Sequence, residues 1–215
     1  MGKIKNIVFD LGGVVIDLKR LKAVEALERL GVKEASVLLG EYAQKGPFLM
    51  LETGELSSAE FYDLLLPKCN PGTTCKDIRD AFEEFLQELP ESRLQKIRNL
   101  RDKGYKVYVL SNTNPIMYNH WIDAAFRSEG KSINDYFDGI VASFQERICK
   151  PDPLIFQRVT ERFGLIPQET LMLDDSEANV NSARSVGLEA IKITPEGENS
   201  FEEVCGRLLK ETPGI

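Results

Sequence analysis

The sequence predicts an α/β fold, a doubly wound parallel-sheet (Rossmann-like) core with an inserted helical cap. Three observations carry this. Short β-branched runs alternate with helical patterns along most of the 215 residues. One interval of roughly seventy-five residues breaks the rhythm with helical patterns alone. The apolar runs also end in polar residues, as strands of an open parallel sheet do where they meet a ligand.

The strands are expected at "NIVFDL" (6–11), "KVYVLS" (106–111), "DGIVASF" (138–144), "TLMLDD" (170–175) and "EAIKIT" (189–194). Each is a short run of the kind that is buried on both faces of a parallel sheet. Between the later strands, 90–104, 152–164, 177–187 and 200–210 read as helices. Several carry apolar residues at i, i+3 and i+4, and three end in Gly, which suits a helix C-terminus. The long interval contains no convincing strand and reads as helices at 18–31, 33–44, 57–68 and 75–89. A crossover between parallel strands needs one helix, so this is an insertion with its own small core. The expected division is a core of 1–15 and 91–215 and a cap of 16–90.

Composition excludes several classes. The chain is 42% hydrophobic and 28% charged, with net charge −7, which describes an ordinary globular protein. Without clustered Lys and Arg, a nucleic-acid partner is not expected. The N-terminal apolar run is broken by Asp10 and is no signal peptide, and Asn6 stands where a myristoylation signal needs Ser or Thr. No run is long enough to span a bilayer. Four scattered cysteines and one His offer no zinc site and point to reduced thiols in a cytoplasmic protein. No long heptad seam demands a dimer, so the oligomeric state stays open.

The chemistry lies at the strand ends. Strand one finishes at Asp10, strand two at Ser111 and strand four at Asp174-Asp175, while Lys150 follows strand three by a short loop. Each of these in isolation also reads as a helix cap, a turn or a loop residue. Together they bring four separate stretches to one end of one sheet. Three carboxylates cannot stay ionised together without a cation, and an all-oxygen donor set suits Mg²⁺. Lys150, Ser111 and the backbone amides of Asn112 and Gly12 would face a phosphoryl group, and Asp10 would attack its phosphorus. Cys149 reads as a loop thiol, and His120 and Trp121 as packing residues that could edge the site.

These motifs resemble the haloacid dehalogenase (HAD) superfamily, in the subgroup with a helical cap after the first strand. "VFDLGGVV" is similar to the first motif, "VLSNT" to the second, "KPDPLIF" to the third and "LMLDDSEANV" to the fourth. "TGELSSAEF" (53–61) resembles a stretch common in such caps. The resemblance covers essentially the whole chain. It implies a nucleophile, Asp10, and Mg²⁺ held by the Asp10 carboxylate, the Gly12 carbonyl and the acidic pair. Asp175 is expected to bind the ion directly and Asp174 through water. Ser111, Asn112 and Lys150 would bind the phosphoryl oxygens.

Two positions depart from the family pattern. Arg147 stands where relatives commonly place Gly, which leaves the loop before Lys150 in question. Gly12 stands where most phosphatases of the family have the Asp that protonates the leaving group and later activates water. A sugar 1-phosphate phosphatase of the family shares the D-x-G arrangement, so Gly12 does not imply a dead site. The expected function is Mg²⁺-dependent hydrolysis of a small phosphorylated metabolite, such as a sugar 1-phosphate, through an aspartyl phosphate on Asp10. The alternatives are a non-catalytic phosphate-sensing or protein-binding module and a hydrolytic dehalogenase. For the missing proton carrier Asp17, water and a substrate hydroxyl stay open, with Asp17 the first suspect if another residue has taken over the work.

Overall fold

The computed structural model describes residues 3–40, 43–127 and 130–213. The chain starts on β1 (Asn6–Phe9) and leaves the sheet through a two-residue strand, β2 (Asp17–Leu18). Five helices follow: α1 (Arg20–Arg29), α2 (Ala35–Leu38), α3 (Gly46–Glu52), α4 (Ser58–Leu65) and α5 (Cys75–Glu83). Strand β3 (Leu86–Glu88) returns antiparallel to β2, so the helical insertion enters and leaves on one short ribbon. Helix α6 (Glu91–Asp102) leads into β4 (Lys106–Ser111). Next come α7 (Pro115–Met117), a π turn, α8 (Asp123–Phe126), α9 (Ile133–Tyr136) and β5 (Gly139–Ala142). The remainder is α10 (Ser143–Glu146), α11 (Pro153–Phe163), β6 (Thr170–Asp174), α12 (Glu177–Ser185), β7 (Glu189–Lys192) and α13 (Phe201–Lys210).

The five long strands form one parallel sheet in the order β5-β4-β1-β6-β7. Central β1 is buried on both faces: Ile7, Val8 and Phe9 are inaccessible to solvent. On one face Val8, Leu110 and Met172 pack against Ile155 and Phe156 of α11 and Val180 of α12. On the other, Phe9, Val107 and Val109 pack against Leu94 and Ile97 of α6 and Val204 of α13. The chain winds from β1 outward to β4 and β5, then crosses back to β6 and β7. Strand order therefore reverses between β1 and β6, where open α/β sheets open a crevice at their carboxyl ends.

The insertion has an aromatic centre. Phe48 of α3 meets Phe61 of α4 and Phe82 of α5 edge-on, with centroids 5.1 and 5.0 Å apart. Capping boxes start two of its helices, Ser57 with Glu60 on α4 and Thr74 with Asp77 on α5. The structure differs from the sequence expectation in two places here. The helix expected at 33–44 is the short α2 followed by α3, which starts at Gly46-Pro47 (residues 41 and 42 lie outside the described residues). The helix expected at 75–89 ends at Glu83, and 86–88 is strand. The interval thus holds two strands, too short to show an alternating pattern.

Arg147 ends α10 in the left-handed region, φ 58° and ψ 28°. It is the one non-glycine with positive φ among the described residues. The loop takes the path a glycine would favour, with an exposed arginine in its place. Left-handed backbone costs an L-residue ~1–2 kcal/mol, partly offset by the greater unfolded-state entropy of Gly. Arg147→Gly is therefore expected to stabilise by about 1 kcal/mol and raise Tm by ~2–4 °C, read by thermal melting. A lower Tm would mean that the arginine side chain does something the backbone argument omits.

Candidate active site

Asp10 stands at the carboxyl end of β1, its N–H donating to the Leu173 carbonyl of β6 at 2.9 Å. The chain then folds back tightly. The N–H groups of Val15 and Ile16 both donate to the Leu11 carbonyl, and that of Gly13 donates to the Ile16 carbonyl. Gly13 has φ +73°, and a β-carbon there would lie 2.3 Å from Oδ2 of Asp175. Only glycine lets the Asp175 carboxylate sit against this turn. Gly12 faces Leu18: a β-carbon at 12 would meet its Cδ1 at 3.0 Å. The room that a side chain at 12 would need is filled from β2.

Lys150 is held by its backbone as well as its ammonium. Its N–H donates to Oδ1 of Asn112 at 2.8 Å, and Nδ2 of Asn112 donates to its carbonyl at 2.9 Å. Its Nζ lies 2.9 Å from Oδ2 of Asp10 and 2.6 Å from Oδ2 of Asp174. The other oxygen of Asp174 accepts from the Ser176 N–H at 2.9 Å and from Nδ2 of Asn179 at 2.8 Å. Asp174 is inaccessible to solvent and fully engaged. The adjacent Asp175 lines the open cavity.

Carboxylate oxygens of Asp10, Asp174 and Asp175 all lie within 4.8 Å of one another. Burial, then the neighbouring charges of Asp174 and Asp175, pushes the Asp10 carboxyl up to about 8, although Lys150 pulls it down. Burial, then Asp174, lifts Asp175 to about 6. Burial alone would lower the Lys150 ammonium, but attraction to Asp10 and Asp174 outweighs it and raises its pKa. Three carboxyls around one ammonium leave an excess of negative charge, which adds to burial in raising the Asp10 and Asp175 carboxyls.

The residues expected from the sequence thus converge. Asp10, Gly12, Ser111, Asn112, Lys150 and Asp175 line one cavity of about 100 Å³, with Asp174 behind Lys150. Ser111 is buried and its hydroxyl makes only a long 3.4 Å contact to the Asn112 carbonyl. The Asn112 side chain is occupied with Lys150. Asp17 is a correction: its carboxylate pairs with Arg93 of α6 at 2.8 Å and does not line the cavity. Burial pushes the Cys149 thiol up to about 12, which disfavours the thiolate. Nδ1 of His120 sits 2.8 Å from Glu83 of α5, and Trp121 packs on the core; neither lines the cavity. What the sequence reading missed is Glu52 and Gln44, which reach the cavity from the insertion.

The chain is similar to proteins of one family. The family model for haloacid dehalogenase-like hydrolases matches residues 4–187. D-ribitol-5-phosphate phosphatase of Bacteroides thetaiotaomicron is 41% identical, covering 88% of this chain and 91% of that protein. A HAD-family enzyme of Bacteroides thetaiotaomicron, crystallised with magnesium and inorganic phosphate, superposes with TM-score 0.83 at 34% identity, over 90% of this chain and 96% of that one. A HAD-like hydrolase structure from Porphyromonas gingivalis gives TM-score 0.86 at 34% identity, over 98% and 100% of the two chains. A particular likeness to sugar 1-phosphate phosphatases is not among these findings. The chain belongs to the haloacid dehalogenase-like hydrolases.

Proposed function

We propose that the protein is a Mg²⁺-dependent phosphatase that hydrolyses a small phosphorylated polyol or sugar through an aspartyl phosphate on Asp10. One observation carries this reading: buried Lys150 bridges Asp10 and Asp174, with Asp175 beside them, at the β1/β6 crevice. The relatives crystallised with magnesium and phosphate, and the D-ribitol-5-phosphate phosphatase, support it. The cavity suits a small metabolite and is lined on one side by residues of the insertion, which we take as a cap spanning 16–90. A dehalogenase reading leaves the acidic pair without a purpose.

The donor set fits a magnesium ion, being all oxygen, negative in sum and partly unsatisfied. Asp10, the Gly12 carbonyl and Asp175 would hold it directly, with Asp174 acting through water. When bound, the ion would neutralise charge on the phosphoryl oxygens and on the acidic cluster. The protein's own groups do the rest. Lys150 steadies the phosphoryl group against Asp10, and Ser111 with the Asn112 amide donates to its oxygens. The Asp10 carboxylate attacks phosphorus, the ester oxygen departs, and water then hydrolyses the Asp10 phosphate. The cap keeps bulk water away from the first step.

The test is phosphate release from p-nitrophenyl phosphate with and without Mg²⁺, followed by a panel of polyol phosphates, sugar 1-phosphates and halogenated acids. Magnesium-dependent release of phosphate is expected. Halide release, or no phosphate from any ester, would overturn the reading.

The assignment of the acidic pair has its own test. Asp175 faces the cavity, whereas Asp174 is already tied to Lys150, Ser176 and Asn179. Asp175→Asn is expected to weaken Mg²⁺ binding ~10–100-fold, more than Asp174→Asn does. Asp174→Asn should instead weaken phosphate binding by loosening Lys150. Magnesium and phosphate titrations of both variants decide it, and the reverse order for magnesium would defeat the assignment.

A further inference from the structure

We propose that Glu52 is the proton carrier of this site, giving a proton to the departing ester oxygen and taking one from the attacking water. It does the work that a side chain at Gly12 would otherwise do. The proposal rests on the phosphatase reading above. Glu52 ends α3 in the cap, and it lines the same cavity as Asp10 and Lys150. It is only 8% exposed, and its carboxyl has no hydrogen-bond partner among the described residues. A carboxyl that lines a ligand cavity with no partner of its own is free to exchange a proton with what binds there.

Its position is fixed from the core side. The hydroxyl of Ser143, at the start of α10, lies 2.8 Å from the Glu52 carbonyl and 2.9 Å from the Thr113 carbonyl, and accepts from the Thr113 N–H. Two residues on, Gly54 has φ +65°, and a β-carbon there would lie 2.1 Å from the Phe144 carbonyl oxygen. The end of α3 is thus pressed against residues 143–144, a few residues ahead of Lys150. Gln44 also lines the cavity, and its Oε1 has no partner, but an amide cannot carry a proton at neutral pH. Asp10 and Asp175 are engaged as nucleophile and metal ligand. Glu52 is the acid that remains on the cavity wall.

Direction and charge agree. Asp10 approaches phosphorus from the core, so an in-line displacement points the departing oxygen toward the cap, where Glu52 sits. Burial lifts the Glu52 carboxyl to about 8, with Lys150 pulling it down, so it holds a proton near neutrality. In the first step the Asp10 oxygen–phosphorus bond forms and the phosphorus–ester oxygen bond breaks. The Glu52 proton moves to that ester oxygen, so the product leaves as an alcohol and Glu52 is left as a carboxylate. In the second, water adds to phosphorus and the bond to Asp10 breaks. One water proton returns to Glu52, inorganic phosphate leaves and the starting state is restored.

The experiment compares wild type with Glu52→Gln on an alkyl ester, D-ribitol 5-phosphate, and on p-nitrophenyl phosphate, whose leaving group needs no proton. Glu52→Gln is expected to lower kcat on the alkyl ester by ~10²–10⁴-fold with little change in KM. Release of the first p-nitrophenol should fall by less than ~10-fold, while the phosphoenzyme accumulates as a stoichiometric burst in rapid quench. Equal losses on both esters with no burst, or no loss at all, would overturn the assignment while leaving the phosphatase reading standing. A wild type that releases phosphate from no ester of the panel would overturn the phosphatase reading itself. If Glu52→Gln does not fold, Glu52→Asp replaces it: the displaced carboxyl should slow the alkyl ester more than the aryl ester, and equal slowing counts against the proposal.

Discussion

Asp10→Asn loses turnover, by ~10⁴-fold or more, while the protein keeps its fold. Asparagine has nearly the volume of aspartate, so the buried end of β1 is not disturbed, and the Asp10 N–H still donates to Leu173. The variant lacks the oxygen that would attack phosphorus and one oxygen that would hold the metal. The electrostatics favour the substitution in the metal-free protein. Asp10 sits among Asp174 and Asp175 with one ammonium between them, and removing a carboxylate relieves that repulsion. Lys150 keeps its 2.6 Å contact to Asp174, so no buried cation is stranded. The expected result is an unchanged or raised Tm in chelator together with lost activity. Initial rates on p-nitrophenyl phosphate and a thermal melt give both numbers. If more than a few per cent of activity survived, the nucleophile would have to be sought elsewhere.

The core of this site was legible in the sequence for a physical reason. A strand buried on both faces of a parallel sheet is a run of apolar residues, and its polar terminus marks where the sheet ends. Asp10, Ser111 and Asp174-Asp175 are read that way, and Lys150 follows from its nearness to the third strand. The helical insertion is less legible. Strands β2 and β3 have two and three residues, so no period-two pattern can form, and they are defined by each other across about seventy residues of chain. Glu52 was missed for a similar reason. The sequence placed a helix at 33–44 and began the recognisable cap stretch at Thr53, one residue late. What puts Glu52 in the cavity is a contact between the α3 terminus and Ser143, 91 residues away. Asp17 was misjudged in the opposite direction. It lies close to Gly12 in sequence, but Arg93 from α6 reaches across and pairs with it.

Lys150→Met is expected to be the most damaging change to the resting protein as well as to its chemistry. Lys150 is 4% exposed and is the cation that both Asp10 and Asp174 contact. Methionine would fill most of the channel that the lysine stem occupies, so packing alone should cost little. Charge is another matter. Without the ammonium, three carboxyls face one another inside the crevice, and removing one partner of a buried pair costs ~3–5 kcal/mol. For a chain of this length that corresponds to a fall of ~6–20 °C in Tm, measured in chelator. Part of the loss should return with Mg²⁺, because an ion that binds only the folded state stabilises it in proportion to its occupancy, and the site now carries one more uncompensated charge. The magnesium-induced rise in Tm should therefore be larger in the variant than in wild type. Inorganic phosphate should show the opposite behaviour, protecting wild type and giving the variant little, since the cation that attracts it is gone. A Tm within a degree or so of wild type in chelator, or equal protection by phosphate in both proteins, would mean that Lys150 does not balance the acidic cluster. In that case the crevice would have to be neutralised by protons on Asp10 and Asp175 alone, and the site would not be poised to receive a phosphoryl group.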